Sequence, residues 1–348
     1  MASLTERNIN SGKREALADL ISMIDAKSTP FTSMAPKVAK PGNTLFRWQV
    51  DSLPNVSAEQ AGIVDGTDVD PNGSSIKNFV RDNVGTPQEV QYRYELSNHI
   101  QIFREATRVS PLTTDIAVVA GVKSELSNNV AKATEILKRK MEKTLCSNNL
   151  PKADNGIAQG YATRGLDSWI KNDFTGDTYL AIPSNFRTPT DSISTVGTAA
   201  LDETVCQNIL ASVFNQTGRT QSFDGLVGYK LKQAFTALTY TTRQNADDNT
   251  ASQIRTLNRE QGQNSYKSSI DVFEGDFGSI RLHTSLFLKN NFCGYLLNMD
   301  LVGVGYGGNI AQVKELQDNG GGPARLIEAV ATCIVKNPLG LAKFDFTA

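Results

Sequence analysis

Between Leu112 and about Asn149, apolar residues recur at steps of three or four: Val118, Val122, Leu126, Val130, Ala133, Leu137, Met141 and Leu145. This spacing keeps one face of an α-helix dry and predicts a single long rod. Asp115 stands near its start, and Lys138, Arg139, Lys140 and Lys143 crowd its end, each where the helix dipole favours that sign. At about 1.5 Å per residue such a rod runs roughly 50 Å, about three times the usual helix.

The remaining pattern reads as shorter pieces set against this spine. Lys13 to Ala26 carries Leu17, Leu20, Ile21 and Ile24 on one helical face and stops at Ser28-Thr29-Pro30, with Phe31 beyond it as a core anchor. Thr44 to Val50 has strand composition. From Asp51 to Thr86 large apolar residues are few, and Gly62, Gly66, Pro71, Asn72, Gly73 and Gly85 punctuate the stretch. Structureless loops of that length are uncommon inside compact domains, so it is expected to project as an extended hairpin resting on something outside its own domain. Val90 to Tyr94 and His99 to Phe103 form the return.

Beyond the rod, Leu150 to Ser194 reads as loop and short strands around an isolated Trp169. Leu201 to Gln216 and Lys230 to Thr239 are helical and flank a strand at Phe223 to Gly228, whereas Thr241 to Lys267 is polar and loop-like. Ile270 to Phe273, Ile280 to Leu288 and Tyr295 to Val302 read as strands, with tight turns at Asp276-Phe277-Gly278 and Asn290-Asn291. Arg325 to Val335 alternates strongly, turns at Asn337-Pro338-Leu339-Gly340 and is expected to return as an antiparallel strand through Leu341 to Phe346. No internal repeat is visible. The class is α+β.

Composition narrows the function. Across 348 residues, 35 basic side chains meet 36 acidic ones, which gives no footprint of a dedicated nucleic-acid or membrane-surface binder. Cys146, Cys206, Cys293 and Cys333 lie far apart with no C-x-x-C pair and read as reduced, buried small apolar residues. Met1 to Ser11 lacks the apolar stretch of a signal peptide, and no run approaches the ~18–20 residues of a membrane span. The chain is expected to be made in a cytoplasm.

Candidate chemistry is thin. Gly303-Val304-Gly305-Tyr306-Gly307-Gly308 satisfies G-x-G-x-x-G, with Glu328 at a plausible distance, and Ile310 to Leu316 beyond it is a possible helix. A dinucleotide site needs this turn inside a βαβ unit, and the flanking pattern is antiparallel, so the stretch reads as a mobile surface loop. Asp68-Val69-Asp70-Pro71-Asn72-Gly73 begins like a calcium loop, but Phe79 stands where a bidentate Glu is required. His99 and His283 sit in strand-like runs as satisfied residues. The basic cluster from Lys138 to Lys143 fits dipole compensation as well as contact with a polyanion. No catalytic, metal-binding or cofactor-binding residue is expected.

Several short stretches, in order, carry a resemblance: Thr29-Pro30-Phe31, Arg47-Trp48, Arg93, Asn98, Gln101-Ile102, Val109-Ser110, Gly165-Leu166, Phe273 to Gly278, Lys314 to Gly320 and Asn337 to Gly340. The chain resembles the major capsid proteins of tailed bacteriophages, the Hong Kong ninety-seven-type capsid fold that encapsulin shells share. The resemblance implies an N-terminal arm at 1–41, an extended (E) loop at 42–97 and a peripheral domain at 98–200 with its spine helix at about 112–149. It further implies an axial domain at 201–321 and closing strands of the peripheral domain at 322–348, with Gly303–Gly308 and Asn319–Gly322 as flexible loops or hinges. The function implied is a non-enzymatic shell of pentamers and hexamers around double-stranded phage DNA, a virion component assembled in the host bacterial cytoplasm. Implied partners are copies of itself, a separate scaffold, a portal, and DNA held without sequence preference on the inner face; no membrane is involved. Arg47, Trp48 and Arg81 are the candidate inter-subunit contacts. Lys77 is the only lysine between Gly42 and Ser97, and no local motif marks a cross-linking partner. The alternatives are an encapsulin-type compartment and a nucleotide-dependent enzyme using Gly303–Gly308. A dinucleotide at a hundred times its dissociation constant would add ~2.7 kcal/mol of apparent stability. A thermal-shift screen with dinucleotides is therefore expected to leave the unfolding midpoint unmoved, and an upward shift would revive the enzyme reading.

Overall fold

A computed structural model describes residues 28–38, 40–51, 93–115, 124–195, 201–238, 270–308 and 311–346, together with the backbone of four short strands between 243 and 266. The Lys13–Ala26 helix, the extended stretch at 52–92, Arg81, Lys77 and the Asp68–Gly73 turn all lie outside the described residues.

Pro30 does more than stop a helix: it opens one. Helix α1, Pro30–Met34, has proline in its first turn, where a missing N–H costs nothing, and buries Phe31 completely. Strand β1 (Lys37–Val38) follows, then β2 (Leu45–Val50) and β3 (Tyr94–His99), which pair antiparallel from Leu45 opposite His99 to Val50 opposite Tyr94. Strand β4 (Gln101–Arg108) leads to a short helix α2, Pro111–Asp115.

The rod is shorter than its periodicity suggests. Ser124 is extended, with φ −151° and ψ 114°, and its hydroxyl accepts the Ser127 N–H, so helix α3 starts at Glu125 and ends at Leu145. Val118 and Val122 lie outside the described residues. Within α3 the dry face is as expected: Ala133, Leu137, Met141 and Leu145 are buried, while Leu126 and Val130 are half-buried. A hydrophobic repeat can continue across a cap because periodicity alone does not record where φ and ψ change.

A four-residue helix α4 (Leu166–Trp169) and strand β5 (Ile193–Ser194) come next, then helix α5 (Glu203–Thr217), strand β6 (Gln221–Val227) and helix α6 (Tyr229–Leu238). The polar 241–267 region is not plain loop. Strands β7 (Arg243–Asn245) and β8 (Asp248–Ser252) pair antiparallel, as do β9 (Leu257–Glu260) and β10 (Gln263–Tyr266). Neither pair has the apolar alternation by which a half-buried strand is read from sequence.

The last third supplies β11 (Val272–Gly275), β12 (Gly278–Thr284), β13 (Gly294–Leu297), β14 (Val302–Tyr306), β15 (Gln312–Leu316), β16 (Ala324–Val335) and β17 (Ala342–Phe344). Two sheets result. In the first, β16 is the axis, pairing β4 along one edge and β14 and β15 along the other, with β1 added outside β14. The second runs β11-β12-β6-β13-β17-β5. Strand β13 is wholly buried, with Leu296 in the core under α5 and α6, and Tyr295 and Leu297 in the core under α3. The chain end therefore corrects one expectation: β17 does not fold back on β16 but crosses to the other sheet, between β13 and β5.

The glycine stretch corrects another. Gly303, Gly305 and Tyr306 belong to β14, and 312–316 is strand rather than helix, so the described residues offer no helix N-terminus to hold a phosphate. Glycine is required there for close packing: a Cβ on Gly303 would stand 2.3 Å from Val38 Cγ2 and 3.0 Å from the Pro36 carbonyl oxygen. Asn319–Gly322 has a defined geometry. It is the turn of the β15–β16 hairpin, with Asp318 Oδ1 accepting the N–H groups of Gly320 and Gly322 at 2.9 and 3.0 Å, and both glycines at positive φ.

Gly303→Ala should accordingly destabilise the unassembled subunit by about 1–3 kcal/mol in urea unfolding. Gly308→Ala, whose nearest new neighbour is Gln312 Nε2 at 3.4 Å, should stay within about 0.5 kcal/mol of the parent.

Candidate assembly surface

No catalytic constellation gathers among the described residues, and three buried polar ties stand out instead. The first holds the arm. Glu142 lies on the buried face of α3, and its carboxylate accepts the N–H of Phe31 at 2.7 Å and of Thr32 at 2.8 Å. These are first-turn donors of α1, which have no partner inside the helix. Burial raises the Glu142 carboxyl above its ordinary value, and the two backbone donors pull in the other direction.

The second tie holds the return strand. Asn98, fully buried on β3, donates to the Cys333 carbonyl of β16 at 2.6 Å and to Thr163 Oγ1 at 3.0 Å, and its own carbonyl accepts the Arg164 N–H at 2.8 Å. One side chain thus joins the hairpin base, the central sheet and the segment after α3. Beside it His99 stacks on Tyr179 at 5.9 Å between ring centroids. The Thr44 carbonyl can only accept, so His99 Nδ1 carries the proton and Nε2, 2.7 Å from the Tyr179 hydroxyl, accepts. Burial lowers the His99 pKa, consistent with that neutral ring.

The third tie joins α4 to the second sheet at β17. Asp167 and Lys343, both buried, pair at 2.9 Å. Lys343 also reaches Asp345 at 3.1 Å, and Lys289 bridges Asp345 at 3.1 Å and Asp167 at 3.4 Å. Two lysines and two aspartates alternate, so no charge is buried unpaired. For Asp345, burial pushes its pKa up, but Lys343 and Lys289 outweigh it and hold the carboxyl below its usual value.

At the hairpin base, Arg47 on β2 pairs with Glu95 on β3 at 2.9 Å, and Arg93 pairs with Asp51 at 3.1 Å just where the chain passes into the 52–92 stretch. Trp48 leans the opposite way. Its ring lies 5.6 Å from that of Trp169, and its Nε1 donates to the Lys336 carbonyl at 3.3 Å. Arg164 sits behind this pair, 4.9 Å over Trp169, donating to the Leu180 carbonyl at 2.6 Å, with burial drawing its pKa down to about 10. Of the predicted contact residues, Arg47 faces solvent at the hairpin root and Trp48 packs on its own chain.

The basic end of α3 is mostly committed inside the subunit: Lys138 to Glu135, Lys140 to Glu105, and Lys143 to the Leu288 carbonyl. All four cysteines are free and buried, and burial pushes each thiol pKa up. Among the described residues no group of three or more His, Cys, Asp or Glu side chains gathers as a metal site. Sequence reading missed Glu142 and Asp167, and named Asn98 only as part of the resemblance, without its tie. Glu142 had a signal, an acid flanked by Met141 and Leu145 on a dry helix face, whereas nothing local marks Asn98.

The model of the family described as SU10 major capsid protein matches residues 4–347. The chain belongs to the SU10 major capsid protein family. It is thus a structural component of a virion capsid rather than an enzyme, which sets aside the nucleotide-dependent alternative. A curated relative, the major capsid protein of Escherichia phage Phieco32, is 31% identical over 137 residues, covering 39% of this chain and 34% of its own length. The match spans about a third of that relative. The solved structure from Mycobacterium phage Bobi aligns over 100% of both chains at 10% identity with a TM-score of 0.55. The capsid structure of the cyanophage P-SCSP1u aligns over 98% of this chain and 96% of that one, at 11% identity and a TM-score of 0.55. At those identities the likeness shows the phage-capsid fold alone.

The ties make opposite acid responses. Glu142 has a raised folded-state pKa, so its contribution to stability is greatest below the unfolded value and falls as pH rises through the folded one. Asp345 has a lowered pKa, so its contribution is present above the unfolded value and is lost as pH falls through the folded one. In unfolding midpoints taken from pH 3 to pH 7, roughly the span in which carboxylates titrate, Glu142→Gln should remove a downward slope and Asp345→Asn an upward one. Identical slopes in both variants would contradict these environments.

Proposed function

We propose that this capsid protein builds an icosahedral shell of pentamers and hexamers around double-stranded phage DNA, and that residues 42–97 act as an extended loop lying across a neighbouring subunit. The observation that carries the reading is the hairpin root. Strands β2 and β3 stay in register up to Val50 opposite Tyr94, and the Asp51–Arg93 pair closes the ladder where the 52–92 stretch begins. A ladder fixed on its own body by Trp48 and Asn98 aims whatever follows it in a set direction. The arm of residues 1–41 is anchored in the same manner through Glu142.

In this assignment α3 and the β16-centred sheet form the peripheral domain, and α5, α6 and the β6-centred sheet form most of the axial domain. Sheet pairing refines the expected division: β14 and β15 side with the peripheral sheet, and the terminal β17 sides with the axial one. One chain must meet slightly different neighbours at pentamer and hexamer positions. Rigid sheets supply the wall, and arm and loop absorb the difference. Arg47 and Arg81 are the proposed inter-subunit contacts on the loop, with Trp48 as its root. Scaffold and portal proteins are further proposed partners, and the DNA contact is non-specific. A compact contact buries ~800 Å² per partner, and overlapping segments multiply it.

Replacing residues 51–93 by Asn-Gly joins Val50 to Tyr94 through a turn that suits a two-residue hairpin. Light scattering and negative-stain microscopy should then find a folded subunit that no longer forms particles, while the parent chain does. Particles of parental size from the shortened chain would overturn the loop's role.

A further inference from the structure

The hairpin that follows α3 spends an unusual number of hydrogen bonds on presenting one aliphatic side chain to water. Lys152 and Ala162 form its bridge. At its tip Asn155 Oδ1 accepts the N–H groups of Ile157, Ala158 and Gln159 at 3.1, 3.1 and 2.9 Å, and Asp154 Oδ1 accepts that of Gly156 at 2.7 Å. Gln159 Nε2 donates to the Ala153 carbonyl at 2.7 Å, and Gly156 takes the positive φ of 74° that the turn requires. The side chain so held, Ile157, is 94% exposed. A tip that only had to turn the chain would be served by a polar residue.

A matching receptacle exists elsewhere on the same chain. Between α3 and β4 runs an open groove of about 660 Å³ whose apolar lining is Ile102, Phe103, Ile136 and Phe287, with Arg104, Arg139, Lys140 and Lys143 as its basic residues. Ile102 and Ile136 are 51% and 39% exposed, large values for isoleucines in regular structure. Lys140 is already paired with Glu105, whereas Arg139 has no ionic partner among the described residues.

We propose that Ile157 of one copy seats in the α3–β4 groove of a second copy, with Asp154 meeting the Arg139 guanidinium. This rests on the capsid reading above. The occupant is another copy because Ile157 stands in water on its own chain, so its own groove is not its seat. Asp154 is the charge nearest the knob in sequence, with Lys152 further back at the hairpin's bridge, and Arg139 is the positive charge on the rim without an ionic partner among the described residues, so the pair is complementary. Each copy carries one knob and one groove made of different residues, so the proposed contact can repeat head-to-tail from copy to copy. Contacts of that type propagate around a ring and close when the rotation allows, which is the geometry a capsomer needs.

The test uses full-length chain. A benzophenone amino acid at position 157, irradiated in assembled particles, should give inter-chain adducts whose peptides carry Ile102, Ile136 or Phe287. Ile157→Asp and Ile136→Asp should each lower particle yield about tenfold or more, as loss of a central anchor does, while circular dichroism of the free subunit stays parental. Adducts mapping only outside the groove, or parental yield from either variant, would overturn the proposal. Failure of the parent chain to form particles would instead strike the capsid reading, so the two failures are distinguishable.

Discussion

A carboxylate buried in a helix face is expensive unless something replaces its water. Glu142 on α3 obtains that replacement from Phe31 and Thr32, two N–H donors at a helix start that themselves need acceptors. Each side answers the other's deficit, so neither is easily moved alone. The consequence is positional: the arm is clamped at one turn of the spine, Phe31 enters the main core, and β1 is delivered to the edge of β14. That edge in turn demands glycine. Val38 lies where a Cβ on Gly303 would stand, so the close approach of arm and sheet depends on a side chain that is absent.

The same logic repeats at Asn98. A side chain with two donors and one acceptor group, buried where β3 passes between sheet and loop, satisfies the Cys333 carbonyl, Thr163 and the Arg164 N–H together. Apolar packing alone tolerates sliding, because a Leu can exchange one neighbour for another at small cost. A fork of three hydrogen bonds does not slide. Buried polar ties of this kind fix the angle at which the β2–β3 ladder meets the body, and in the proposed loop role that angle matters more than added stability.

Much of this was legible from sequence, and the illegible parts have particular causes. The dry face of α3, the pair of helices around β6, the buried Phe31 and the existence of β16 follow from period and punctuation, although β16 alternates only from Ile327 to Ala331 and is buried on both faces beyond. The start of the rod was misread because Ser124, a residue neutral by hydropathy, acts as a cap only through its backbone conformation. The G-x-G-x-x-G stretch was read as mobile because glycine signals both freedom and close contact, and only the neighbour at Val38 decides between them. The crossing of β17 to the second sheet is non-local and leaves no local signature. Asp167 and Lys343 are remote in sequence, and each alone looks like an ordinary surface charge.

The division of labour between body and appendages follows from these constraints. A wall must resist deformation, and the body supplies that through β13, whose alternate side chains enter both hydrophobic cores, and through the alternating Asp167–Lys343–Asp345–Lys289 chain that ties α4 to β17. Curvature requires freedom, and a body stiffened in this way has little to give. In the proposed assembly that freedom falls to the arm and the extended loop, which join the body at fixed roots. The arm enters at Glu142 and the extended stretch at the Asp51–Arg93 pair. A subunit built otherwise, with loose roots and a soft body, would meet each neighbour in many orientations and would favour aggregates over closed shells.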